Sequence, residues 1–338
     1  MGVLRLLLAS IVLASHVGAA PAYSGVMAVE CFFVISGFYM QMIIREQYAH
    51  HPHWRRKFLI SRFLRIFIPY WVTLSAIVAI SAFIHEDLPT GSLFSNVFII
   101  GTEHIKLWRA VEGCMSFDWQ QLLIPQVWSV GIELMFYAIA PVLLVCRTGV
   151  LVAITALSMA GKAWLLAHDY HAAFLECGDG LLNGIFPLEI GIFTMGALCY
   201  RFYAAVVAAD NHFKAENMYQ VMLALVIAAS AGFTIGLHYW PSPLEVVVIS
   251  YIYIAAVTLA LPFLFHASRT IVRDRFVGDL SYSFYLCHLY VAHHVLTEVR
   301  MSKYVKFILL ELATVACAYA INRFVEKPLD ALRHRYFR

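Results

Sequence analysis

A chain of 338 residues, 62% hydrophobic and 13% charged with a mean hydropathy of +0.75, has too little charge to cover a soluble domain of its size. Its formal charge of +3 is small, and no nucleic-acid partner is expected. No polar region is long enough to fold as a separate soluble unit, so residues 1–338 read as one all-α, polytopic membrane helix bundle.

Crossing a bilayer takes about 20 mostly apolar residues in a helix, because backbone groups left unpaired in lipid are costly. Taken in chain order, that template predicts ten transmembrane helices, near 3–21, 25–44, 63–85, 127–146, 149–167, 184–203, 219–240, 244–266, 279–298 and 304–324. Arg5 ahead of the apolar run 6–14 looks like a signal peptide. His16 follows, however, and another apolar span begins almost at once, so the segment reads as a retained first helix. The apolar stretch 92–101 is too short to cross and is expected at the interface or re-entrant. The largest loop, about 85–126, is rich in Trp, Glu and His and is placed to cap an outward-facing cavity.

The basic residues set the orientation. With the N-terminus inside, the inner loops and ends hold seventeen Lys and Arg, eighteen with Arg5, against five outside (Lys106, Arg109, Arg300, Lys303 and Lys306). Both termini are therefore expected on the cytoplasmic side, which requires an even number of spans. Lys162 falls inside a span and counts for neither side. Five of the seven cysteines (Cys31, Cys146, Cys199, Cys287, Cys317) lie in apolar segments and read as small hydrophobes. Cys114 and Cys177 fall in outer loops, where a disulfide is open to them.

Ionisable residues inside spans are costly and usually face a cavity or a partner. His16 lies in the outer third of the first span. Glu30 sits about one and a half turns below the outer surface, and Glu133 enters at nearly the same depth. Three titratable groups on three helices are thus expected at one level, where a carboxylate can orient an imidazole and raise its basicity. Arg5 is eleven residues earlier in the same helix, about 16 Å along it. There it joins the basic run from Arg45 to Arg65, a field suited to phosphates. Arg62 and Arg65 share one helical face before Pro69. The cluster His50, His51, His53 lies in a basic loop without carboxylates and reads as solvated; no metal is expected. Ser36-Gly37 lacks the elbow motif of a serine nucleophile and reads as a close helix-packing pair.

Six of these segments, in order over nearly the whole chain, resemble the membrane acyltransferase-3 family of bacterial O-acyltransferases that modify surface polysaccharides. Arg5 and His16 are similar to its arginine–histidine signature, FFVISGF at 32–38 to its second-helix motif, and RFLRIFIP at 62–69 to its basic third-helix entry. WSVGIELMFYAIAP at 128–141 aligns Glu133 with the family's glutamate. LSYSFYLCH at 280–288 is similar to its late motif, and Glu326-Lys-Pro328 to its closing one. Glu30 stands where the family commonly has aspartate, and Gly131-Ile132 where a more polar pair is frequent.

The resemblance implies transfer of an acyl group, usually acetyl from acetyl-CoA, from the cytoplasmic side to a carbohydrate hydroxyl outside, by a multi-pass protein of the bacterial inner membrane. Its expected partners are an acyl-CoA, a carbohydrate acceptor (lipid-linked or polymeric) and membrane lipids. It implies His16 as general base oriented by Glu30 or Glu133. Arg5, Arg62 and Arg65 would bind the CoA phosphates, with Trp128, Tyr282 and His288 on the substrate. Tyr282 or a backbone amide is the candidate oxyanion donor. The competing class is a transporter or flippase, which would favour inverted repeats with paired broken helices; the sequence contains none. A non-catalytic scaffold would leave Arg5, His16, Glu30 and Glu133 without a purpose.

Overall fold

The computed structural model describes residues 1–85, 93–99, 122–167, 185–209, 219–239, 243–295 and 301–337. All regular structure among them is helical. The helices are α1 (Gly2–His16), α2 (Ala22–Ile43), α3 (Trp54–Phe83), α4 (Leu93–Phe98), α5 (Trp128–Leu143) and α6 (Thr148–Ala167). They continue as α7 (Phe186–Ala209), α8 (Tyr219–Tyr239), α9 (Pro243–Ser268), α10 (Val272–His294), α11 (Lys303–Ile321) and α12 (Lys327–Phe337). Cys114, Cys177 and most of the 85–126 loop lie outside the described residues.

A helix stands at each of the ten expected spans, but length and composition support fewer crossings. Among the described residues, seven segments are long and apolar enough to cross a membrane: those built on α2, α3, α5, α6, α7, α9 and α11. The apolar parts of α1 and α8 are shorter, and α10, rich in His, Tyr and Ser, is not among the seven. Helix α1 stops before the expected residue 21 because Gly18, with φ at +70°, turns the chain. Helix α3 starts nine residues earlier than expected, since the basic stretch from Trp54 continues the same helix. The short apolar stretch forms only the six-residue α4, docked on α3 by the Tyr70 hydroxyl on the Asn96 carbonyl and by Trp71 Nε1 on the Val97 carbonyl at 2.8 Å.

A backbone-close seam joins α2 to α7. A Cβ on Gly37 would lie 1.9 Å from the Phe193 carbonyl oxygen, and one on Gly196 would lie 1.9 Å from that of Val34. Both obstacles are backbone and cannot swing aside. Stacked Phe33 and Phe193, 4.6 Å between ring centres, continue the seam. Gly37→Ala is therefore expected to push the helices apart and lower stability by about 1–3 kcal/mol, read as earlier thermal unfolding in detergent. An unchanged melting profile would mean that the close approach is dispensable.

Helix α1 is held at its start by α10. The Asp274 carboxylate accepts the amides of Gly2 at 2.7 Å and Val3 at 3.0 Å, two of the donors that a helix N-terminus leaves free. Burial pushes this carboxyl upward, but hydrogen bonds from the Met1 amine and these two amides outweigh it and hold the group below the usual carboxylate range. This anchoring places Arg5 one turn further along, in the wall of a cavity shared with α2, α3 and α10.

Candidate active site

A cavity of about 590 Å³ opens where α1, α2, α3, α5 and α10 meet, with Asp330 of α12 also in its wall. Its wall holds five arginines, Arg5, Arg62, Arg65, Arg269 and Arg275, with the Met1 amine, and four acids, Glu133, Asp274, Asp279 and Asp330. Arg62 is 3% exposed, and its Nε has no hydrogen-bond partner among the described residues. A buried guanidinium with an unused donor is the kind of group an anion would satisfy. Helix α12 closes in beside it. Arg333 donates from Nε and one terminal nitrogen to Ser61 Oγ at 3.2 and 3.1 Å and also pairs with Asp330.

The three expected cofactor-binding arginines, Arg5, Arg62 and Arg65, share this cavity. Glu133 lies in its wall as well. Its Oε1 accepts the Ser36 hydroxyl at 2.6 Å and the hydroxyl of Tyr137, one turn along the same helix, and the two hydroxyl oxygens are 3.3 Å apart. Tyr282 lines the cavity too, but its hydroxyl donates to the Ile66 carbonyl at 2.9 Å, so in this arrangement it has no proton to offer an oxyanion. Trp128, at the start of α5, is half-buried and packs against the main apolar core.

Glu30 is elsewhere. It is 1% exposed and pairs with Lys162 of α6, whose ammonium also meets Glu189 of α7 at 2.7 Å. It therefore does not orient His16 here. Glu133 contacts α2 at Ser36, six residues and about 9 Å beyond Glu30, so the two carboxylates occupy different depths. Counting residues from span ends assumes that all helices start in one plane; α5 instead follows the turn at Pro125–Val127.

His16 ends α1 beyond the cavity lining, and its ring faces His288 at 5.5 Å between centres. His288 is fully buried. Its Nδ1 lies 2.8 Å from the Tyr285 carbonyl oxygen, a contact that requires the proton on Nδ1. Nε2 is then left as an acceptor, with no partner among the described residues. Tyr285 lines the cavity and meets Ser129 Oγ at 2.7 Å. Tyr285 and His288 thus stand between the cavity and His16.

Lys162, Glu189, Tyr137 and Ser36 as a polar partner do not stand out as site residues in the sequence. Lys162 was visible as a charge inside a span, and Tyr137 as a hydroxyl four residues after Glu133. Helix pairing was needed to connect either to its partners.

A family model described as an acyltransferase domain matches residues 1–334. The chain is also 29% identical over 147 residues to the peptidoglycan O-acetyltransferase OatA of Listeria monocytogenes. That alignment covers 42% of this chain and 23% of that protein, less than a quarter of the relative's length. No solved structure matches.

Proposed function

This chain belongs to the acyltransferase-3 family, and from that premise we propose that it moves an acyl group, acetyl in the first instance, from cytoplasmic acyl-CoA to a hydroxyl of a carbohydrate at the opposite membrane face. The observation that carries this reading is a cavity that joins three helix-borne arginines to a partly accessible glutamate. Arg5, Arg62 and Arg65 take the phosphates of the donor, Arg62 through its unpartnered Nε. Glu133 supplies a proton acceptor in the same space.

The carbohydrate reading is supported by the peptidoglycan O-acetyltransferase relative. The acceptor approaches from the end that holds His16, His288 and Trp128, and His16 takes the hydroxyl proton, with His288 beside it. This polarity goes with ten spans, both termini cytoplasmic, and residence in a bacterial inner membrane, as the Lys/Arg distribution favours.

The test uses the full chain in lipid vesicles with radiolabelled acetyl-CoA and a fragment of cell-wall or surface glycan. Label should pass to the glycan. His16→Ala should reduce that transfer by about 100-fold, the lower range for a lost general base. Full transfer by a folded, correctly inserted His16→Ala protein ends the role given to His16. Coupled solute flux without any acyl transfer would instead favour a transporter.

A further inference from the structure

We propose that Ser36 is the nucleophile that carries the acyl group, as an ester, between donor and acceptor. The inference rests on the acyl-CoA reading above and adds a covalent step to it.

A hydroxyl in the middle of a helix usually bonds back to its own backbone. Thr73, Ser230, Thr258, Ser268 and Thr314 each donate to the carbonyl four residues earlier. Ser36 donates instead across to Glu133 Oε1 on α5, at 2.6 Å, and does so in the cavity wall. The same oxygen is held by the Tyr137 hydroxyl. Nucleophile, base and a third group orienting the base form the arrangement that activates a weak hydroxyl nucleophile. The neighbouring residue fixes it in place. Gly37, about 100° further round the helix, seats α2 against the α7 backbone and turns Ser36 towards the cavity. The Ser36-Gly37 pair is therefore only half a packing device.

The step balances without an outside reagent. Ser36 Oγ attacks the thioester carbonyl carbon as its proton passes to Glu133. The carbon–sulfur bond breaks, and CoA leaves as a thiolate towards the arginine end, taking a proton from the cytoplasmic solvent. The product is an acyl ester on Ser36 beside a neutral Glu133, which adds no charge to the interior. The acceptor hydroxyl then attacks the ester carbonyl. Its proton passes to His16, beside His288, and leaves to the outer side, and Ser36 Oγ recovers the proton held by Glu133.

The experiment incubates the purified full chain with radiolabelled acetyl-CoA and no acceptor, follows CoA thiol release, and digests the denatured protein for mass spectrometry. The expected result is a burst of about one CoA per chain with the label on the peptide containing Ser36, as covalent intermediates give. Ser36→Ala should abolish the burst and lower transfer to glycan by about 1,000-fold or more. Ser36→Cys, close in size, should still take up label, now as a thioester cleaved by neutral hydroxylamine; a merely structural serine would not move the label to sulfur. The inference alone is overturned if wild type transfers acetyl to glycan with no label on Ser36, or if folded Ser36→Ala transfers at the wild-type rate. Absence of CoA release from every short acyl-CoA, with or without glycan, overturns the donor reading and the inference together.

Discussion

Glu133→Gln is expected to lower acyl transfer by about 10²–10⁴-fold while leaving thermal unfolding nearly unchanged. The glutamine oxygen can still accept the hydroxyls of Ser36 and Tyr137, so the contact between α2 and α5 survives. An amide cannot take a proton, however, and the hydroxyl that donates to it is no longer activated. Radiolabelled transfer at saturating acetyl-CoA, beside a melting curve, separates the two effects. A glutamine variant that works at the wild-type rate would strip Glu133 of its chemical role and leave it an interhelical hydrogen bond.

The second large effect is on stability. Lys162→Met leaves Glu30 and Glu189 facing each other in an interior where all three side chains are at most 2% exposed. Removing one partner of a buried ion pair typically costs about 3–5 kcal/mol, because the remaining charge has neither water nor a counter-ion. The expected outcome is loss of folded protein on extraction into detergent. Most of that stability should return in the triple variant Lys162→Met/Glu30→Gln/Glu189→Gln, since neutral groups of similar shape carry little of the desolvation penalty. Thermal unfolding and size-exclusion profiles of the two variants decide the matter. Equal stability of wild type and Lys162→Met would mean that the pairing does not hold α2, α6 and α7 together.

These two predictions divide the acidic residues differently from the sequence alone. Glu30 and Glu133 looked equivalent there, two carboxylates on separate helices at one level beside His16. In the folded chain Glu30 belongs to an ion-paired helix seam, and Glu133 belongs to the cavity. The first should matter for folding and the second for chemistry. Likewise Arg5, Arg62 and Arg65 looked like topological anchors or phosphate ligands. Their convergence on one cavity, with Arg62 buried and one donor unused, favours the second role without removing the first.

By itself the sequence determined the membrane character, the helices at each expected span, the gathering of basic residues near Arg5 and Arg62, and the motifs by which the chain is recognised. Apolar run length and a fixed rise per residue are local properties, readable in one dimension. Only the tertiary structure decided which side chains meet: Lys162 with Glu30, Ser36 with Glu133, and His288 between His16 and the cavity. The rise gives a residue's height along its own helix. Where each helix begins, how it is rotated and which neighbour it faces are set by packing such as the close approach at Gly37 and Gly196, which no single helix encodes.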